Sequence, residues 1–277
     1  MEEIDKIKTE IPEDICDIEA DFYGRQLAIG TYAGNLYIYN NLNEKPSKIV
    51  EIPAHIGPIY KISWSHPSFG PVIGTCGFDK KVNFYILNER NNQLEKIYDY
   101  EMHDNSVKCL KFCGSSDELI LISGCLNGDI VICKYLDKNF ILEKVNAHNF
   151  GVNSIDFFDN KTFVTCGNDN TIKIWNFSLE NGKITVKNEK TLKDNSTTNI
   201  TDVSVKDNKH FVCCGESDEG GIVNYWILNE ENKWEPHEIY RENVKIEKIR
   251  FNDDHTCIAV IDSEGKEHLI LENELNL

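Results

Sequence analysis

Three segments of this chain align with one another without gaps: "GTCGFDKKVNFY" ending at Tyr85, "LISGCLNGDIVIC" ending at Cys133 and "FVTCGNDNTIKIW" ending at Trp175. Each carries a small hydroxyl residue, then Asp or Asn, then an aromatic or Cys at fixed offsets: Thr75, Asp79, Tyr85; Ser123, Asn127, Cys133; Thr165, Asp169, Trp175. Upstream of each lies a histidine followed by a turn and an alternating strand, in "AHIGPIYKISW" (His55), "MHDNSVKCLKF" (His103) and "AHNFGVNSIDF" (His148). Weaker copies end at Tyr39, Trp226 and Ile270, so six end points at 39, 85, 133, 175, 226 and 270 stand 46, 48, 42, 51 and 44 residues apart. A self-similar chain of this period buries one supersecondary unit against the next, and that restricts its fold more than any composition does.

Within a unit, period-two alternation and turn residues mark four short strands; in the second unit these are Ile59 to Trp64, Val72 to Cys76, Lys81 to Leu87 and Leu94 to Tyr100. No segment of helical period competes. Four strands at this repeat length describe the blades of a WD-type β-propeller. The expected fold class is therefore all-β: a single domain over residues 1–277, built of six four-stranded blades whose third strands end near Tyr39, Tyr85, Cys133, Trp175, Trp226 and Ile270.

His, Thr and Asp together invite a catalytic reading, but no active site requires three copies. A blade buries both of its faces, so a histidine inside it needs hydrogen-bond partners, and an aspartate in the turn between the second and third strands supplies one. The hydroxyl of Thr75 or Thr165 is expected to link the imidazole to the aromatic end of the third strand, giving a satisfied network that fixes register. On this reading His55, Thr75, Asp79 and Tyr85, then His103, Ser123 and Asn127, then His148, Thr165, Asp169 and Trp175, are framework.

Other motifs that would signal chemistry do not survive inspection. In "GESDEGG", Gly215 to Gly221, the second glycine falls one place too late for a nucleophile elbow, and the stretch reads as an expanded turn. "NDDHTC", Asn252 to Cys257, suits a solvated hairpin tip. Phosphate-binding glycine loops are absent from the sequence, and no cofactor or metal is expected. The ten cysteines include no C-x-x-C pair, and Cys76, Cys125, Cys133, Cys166, Cys213 and Cys257 lie in strand-like runs, as buried thiols of a reducing compartment do. The 46 acidic against 29 basic residues give a net charge of −17, which repels a phosphate backbone and argues against nucleic acid. The N-terminal "MEEIDKIKTEIPED" lacks the basic start and apolar run of a signal peptide, and no apolar run approaches the roughly 20 residues of a membrane span, so neither secretion by that route nor direct membrane insertion is expected.

The run "WSHPSFG" at Trp64 to Gly70, with "DFYGRQLA" at Asp21 to Ala28, "HDNSV" at His103 to Val107 and "NAHNFGVNSI" at Asn146 to Ile155, resembles the Sec-thirteen family. These are WD-repeat propeller subunits of the COPII vesicle outer coat that also serve in the Y-shaped scaffold of the nuclear pore. The likeness is strongest over residues 13–176. The sister nuclear pore propeller, with a similar W-x-H-P-x-F-G run, is the nearest relative to be confused with it. The resemblance implies an open six-bladed ring, completed when a large helical-solenoid COPII cage subunit or its nuclear pore counterpart inserts a seventh blade between the first and last. It also implies a cytoplasmic protein, peripheral on ER-derived vesicles, with a place at the nuclear pore.

An open ring would present apolar faces on its first and last blades, from Ile15, Ile18, Leu27 and Ile29 on one side and Ile249, Ile258, Val260 and Leu269 on the other. The chain departs from the family pattern where unit five has "LKDNSTTNITDV" with Asp194 near the histidine position, where Glu264 replaces the turn aspartate of unit six, and where only "LENELNL" follows Ile270. A second reading therefore stands: residues Ile4 to Ile11 supply the outer strand of the sixth blade, the ring is closed, and the protein is an adaptor displaying one end to peptides.

Overall fold

The computed structural model describes residues 11–40, 46–180, 182–193, 196–252 and 254–275. Its strands fall into six antiparallel sheets in chain order, each a simple meander. Sheet 1 is β1 (Ile15–Ala20), β2 (Gln26–Thr31), β3 (Asn35–Asn40) and β4 (Ser47–Pro53). Sheet 2 is β5 (Ile59–Trp64), β6 (Val72–Gly77), β7 (Val82–Asn88) and β8 (Gln93–Tyr100), within a residue of the strands read from the second repeat. Sheet 3 is β9 (Val107–Phe112), β10 (Ile120–Cys125), β11 (Asp129–Leu136) and β12 (Asn139–Asn146). Sheet 4 is β13 (Val152–Phe157), β14 (Thr162–Gly167), β15 (Thr171–Glu180) and β16 (Lys183–Lys193). Sheet 5 is β17 (Asn199–Asp207), β18 (His210–Ser217), β19 (Gly220–Leu228) and β20 (Trp234–Glu242). The repeat end points all fall on third strands. Sheet 6 differs: among the described residues it has three strands, β21 (Ile246–Phe251), β22 (Cys257–Asp262) and β23 (Glu267–Leu271).

Contacts divide the chain into two compact units, one of residues 1–126 and 130–144, the other of residues 127–129 and 145–277. In the first, sheets 1, 2 and 3 stack in order. Ile38 and Leu36 of sheet 1 meet Ile59, Ile62 and Ile73 of sheet 2, and Phe84 and Val82 of sheet 2 meet Leu110, Phe112 and Leu121 of sheet 3. In the second, Ile172 and Val164 of sheet 4 meet Phe211 and Trp226 of sheet 5, whose Val212, Val223 and Tyr225 meet Ile249, Ile258 and Val260 of sheet 6. Strands β2, β6 and β10 are buried along their whole length, which is why, Gln26 at the start of β2 apart, they read as continuous runs of apolar, small and hydroxyl residues. Strand β22 alternates between buried and half-buried residues, the pattern of a strand covered on one face.

Among the described residues no fourth strand follows β23; the chain passes instead into a 3-10 turn, Glu272–Glu274. The cause is an anchor: the Glu272 carboxylate takes the Lys206 ammonium and accepts the Tyr225 hydroxyl at 2.9 Å, turning the chain back onto sheet 5. Its carboxyl sits below the usual range because, although burial opposes ionisation, the bonds from Lys206 and Tyr225 outweigh it. Residues 4–10 of the segment proposed for that outer strand, and Asp194, Asp253, Asn276 and Leu277, lie outside the described residues.

Candidate partner-binding site

The three histidines occupy the loops that lead into sheets 2, 3 and 4, and a repeated turn sets two of them. Gly34 and Gly128, both at φ +93°, end the β2–β3 and β10–β11 turns, and their carbonyls accept from the backbone of Ala54 and His55 and of Ala147 and His148. A Cβ on either glycine would fall about 2 Å from the carbonyl oxygen of His55 or His148, so only glycine lets the turn close on the histidine loop.

His148 Nδ1 lies 2.8 Å from Asp169 and its Nε2 2.8 Å from the Thr165 hydroxyl, which accepts from Trp175 Nε1 at 2.9 Å. Since the carboxylate can only accept, Nδ1 carries the ring proton and Thr165 donates to Nε2. Burial presses the His148 imidazole below its ordinary value, only partly offset by Asp169. Asp169 itself is lowered: burial opposes ionisation, but Thr171, His148 and the backbone N–H of Asn149 overcome it. His55 repeats the geometry with Asp79 and Thr75, both at 2.8 Å. The aromatic link expected there does not form. The Tyr85 hydroxyl donates instead to Ala54 O at 3.3 Å, because a phenol carries its donor beyond where an indole N–H sits, and Asn83 reaches His55 Nε2 at 3.1 Å in its stead. In sheet 3, Ser123 takes His103 at 2.6 Å and Tyr100, from the outer strand of sheet 2, at 2.9 Å, while Asn127 donates to Asp129. Sheet 5 keeps a relic of the network, with Trp226 Nε1 on Cys213 Sγ at 3.2 Å and Asn224 on Ser196. In sheet 6 the turn is capped by Asp262, which accepts from the backbone N–H of Glu264 and Lys266, rather than by Glu264.

These hydroxyls cannot meet a substrate. Thr75, Ser123 and Thr165 have no exposed surface, and His55, His103 and His148 are buried. "GESDEGG" proves a tight hairpin, not an expanded turn: β18 runs to Ser217, β19 starts at Gly220, and Ser217 Oγ donates to Gly220 O at 2.9 Å. Asn252 caps the β21–β22 hairpin through its side chain, accepting from Thr256 and Cys257. All ten cysteines are unbridged thiols.

A second set of residues, which repeat matching alone does not reveal, joins sheet to sheet. Each of β1, β5, β13, β17 and β21 has a one-residue register shift near its start, and the residues after it are Asp17, Lys61, Ser154, Asp202 and Lys248. Asp17 accepts from Ile62 N at 2.8 Å and pairs with Lys61; Asp202 accepts from Ile249 N at 3.1 Å and pairs with Arg250. Two positions further on, Ser63 accepts from Phe112 N, Asp156 from Val205 N and Ser204 from Phe251 N. Strands β1, β5, β13 and β17 thus each offer an acceptor to the backbone of the next inner strand. At the same two positions sheet 6 carries Lys248 and Arg250, whose head groups can only donate. Arg250 turns back to Asp202, Val203 O and Ile249 O.

Sheet 6 is also uncovered on one face. Its register places Ile249, Val260 and Ile258 together, fully buried against sheet 5, and Arg250, Ala259 and Leu269, with Cys257 and Leu271, on the opposite side. Leu269 is 70% exposed and Leu271 44%. Of the four residues expected on the exposed face, Ile249, Ile258 and Val260 are therefore core, and Leu269 alone is presented. On sheet 1, Leu27 and Ile29 are buried together with Tyr37, Tyr39 and Ile11, and Ile15 and Ile18 are half-buried. That face does not lie open to water as expected, since Ile11 packs into it. A separate exposed set, Tyr32, Ile56, Phe78 and Leu126, lies at the turns and loops of one end of the first unit.

Residues 140–176 match the WD domain, G-beta repeat family. The chain is 32% identical over 177 residues to Protein transport protein SEC13-2 of Candida glabrata, covering 57% of this chain and 58% of that protein. It is 28% identical over 193 residues to the Protein SEC13 homolog of Drosophila melanogaster, covering 62% and 54%, so the aligned part spans a little over half the length of these two relatives. Over 94% of the chain and 91% of the relative, it is 23% identical to Protein transport protein sec13 of Emericella nidulans. The chain is thus similar to Sec13-family WD-repeat proteins over most of its length. A chain of the solved structure titled Crystal Structure of Mitotic Checkpoint Complex superposes with a TM-score of 0.76 at 14% identity, over 92% of this chain and 73% of that one, a likeness of fold. With the six meander sheets, the Sec13-family match makes the fold class an all-β, WD-repeat β-propeller. Among the described residues, no helix is long and apolar enough to cross a membrane.

Proposed function

We propose that this chain is a non-catalytic scaffold subunit of the COPII vesicle coat in ER-to-Golgi transport, and of the nuclear pore outer-ring complex. It acts from the cytoplasm on the surface of ER-derived vesicles. Its partner is a large helical-solenoid subunit that contributes a strand-rich segment as a further blade. The observation that carries this reading is sheet 6, three-stranded among the described residues, exposed at Leu269 and Leu271 on one face, and carrying Lys248 and Arg250 where sheets 1, 2, 4 and 5 offer an acceptor to their neighbour. A face of that kind is completed by added strands that bring their own acceptors to Lys248 and bury the two leucines. The relatives' names, which speak of protein transport, support the same reading.

One observation favours a second reading, a WD-repeat adaptor that displays an end to peptides: Tyr32, Ile56, Phe78 and Leu126 are all exposed at one end of the first unit. Affinity capture of the tagged chain from its own cells at near-physiological salt separates the two. A stoichiometric helical-solenoid transport subunit is the expected product. Capture of unrelated peptide-motif proteins, lost on Phe78→Ser, would replace the scaffold reading with the adaptor one.

A further inference from the structure

At the open end of sheet 6 three side chains from three strands converge. Glu242 is the last residue of β20, Asp262 the last of β22, and His268 lies in β23. His268 Nε2 is 3.0 Å from Glu242 Oε2 and 3.4 Å from Asp262 Oδ2, and the three ligand atoms lie within 4.8 Å of one another. We infer that Glu242, Asp262 and His268 form a divalent-cation site of zinc type, which ties the outer strand of sheet 5 to sheet 6. The inference rests on this geometry and not on the coat reading.

The hydrogen bonds around the cluster bear on what its centre can hold. The Tyr240 hydroxyl donates to Glu242 Oε2 at 2.8 Å and lies 3.0 Å from His268 Nδ1. One hydroxyl has one proton, so with that proton on Glu242 the Tyr240 oxygen accepts from Nδ1–H, and the Nε2 lone pair faces the carboxylates. Asp262 is ionised: the backbone N–H groups of Lys266 and Glu264 both bond its Oδ1 at 2.9 Å, and its Oδ2 points at His268. With Nε2 unprotonated, three acceptors face one another and the space among them suits a positive centre. A proton on Nε2 serves Glu242 well, but at 3.4 Å it is beyond the usual N–H···O range of roughly 2.7–3.2 Å from Asp262. A metal serves both. For zinc with N and O ligands at about 2.0–2.1 Å, a tetrahedral edge is about 3.3 Å, the scale of the two separations found. Tyr240 on Nδ1 is the outer-shell partner that a metal-ligating histidine ordinarily has. Lys266, 3.6 Å from the other oxygen of Glu242, is largely solvent-exposed and does not fill the centre.

The site has a structural use. Sheet 6 has three strands among the described residues, and a cation here would fasten its two last strands to β20 by coordination. The chemistry is N and O only, since no cysteine is in the set, and that distinguishes it from adventitious metal on the chain's thiols.

The test uses the intact, chelator-treated, reduced chain titrated with cobalt(II) and then zinc. One cobalt per chain is expected, with the visible bands of a four-coordinate ion, without the thiolate charge-transfer band of cysteine ligation, and displaced by zinc. His268→Gln and Glu242→Gln should each weaken zinc binding at least about tenfold, and Tyr240→Phe, which leaves all three ligands in place, by about 10- to 100-fold. Circular dichroism checks that each variant is folded; if the ligand variants do not fold, Tyr240→Phe decides. Failure of the wild type to bind micromolar zinc, a thiolate band, or binding unchanged in His268→Gln or Tyr240→Phe would each overturn the assignment.

Discussion

Asp202→Ala should lower the stability of the second unit by about 1–4 kcal/mol. Asp202 is 1% exposed, and its carboxylate serves Val203 N at 3.0 Å within its own sheet, Ile249 N at 3.1 Å and Arg250 at 2.8 Å in sheet 6, and the Ser154 side chain of sheet 4. Removing it strands the N–H of Ile249, a residue with no exposed surface, at a cost of about 1–3 kcal/mol. The Arg250 side chain is 39% exposed, so water replaces much of its lost partner, and the ion pair adds no more than about 1 kcal/mol. Asp202→Asn keeps a side-chain acceptor for Ile249 and should cost about half as much. Urea unfolding followed by the fluorescence of Trp226 and Trp234, both in sheet 5, reads this region directly. The expected result is a lower midpoint at unchanged slope, with Asn between wild type and Ala. A loss below about 0.5 kcal/mol for Ala, or Asn as damaging as Ala, would refute the view that this aspartate acts as an acceptor between sheets.

The histidine networks predict acid loss in two stages. His148 is pressed below 6.5 by burial, so the unfolded chain takes up the proton first and stability falls as pH drops from 6.5 towards the folded value; Asp79 and Asp169, held below 3.8, add a loss from 3.8 downward, where their bonds are protonated away. Midpoints of urea unfolding across pH should show both stages, and His148→Gln should flatten the upper one; a wild-type midpoint constant from 6.5 to 4.5 would contradict the assignment. Gly128→Ala should destabilise by more than about 2 kcal/mol, because φ is +93° and the new methyl meets His148 O, whereas Gly24→Ala, with open space around it, should cost about 1 kcal/mol from its φ alone; melting temperatures compare them.

What the sequence discloses and what it hides follow from where the contacts lie. His148, Thr165 and Asp169 sit within one repeat, 17 and 21 residues from the histidine, so repeat spacing alone brings them side by side. The staples of Asp17, Asp156 and Asp202 cross from one repeat to the next, 45 to 49 residues away, and join a side chain to a backbone N–H, which no residue pattern on the receiving strand records. Their trace in sequence is only an Asp or Ser interrupting the apolar alternation of an inner strand. Alternation shows that Ile258 and Val260 share a face but not which face meets a neighbour, so both were expected outside and are found in the core. Tyr85 shows the limit of residue class, since an aromatic at the right offset does not guarantee that its donor reaches the hydroxyl.

The most direct test of the central claim is to capture the partner on Leu269→Asp/Leu271→Asp. Both side chains are exposed, so unfolding should be nearly unchanged, within about 0.5 kcal/mol of wild type. The account predicts that the folded double variant loses the helical-solenoid subunit that the wild type retains, because two carboxylates would be buried against it without partners. A folded double variant that retains this subunit at wild-type yield would contradict it.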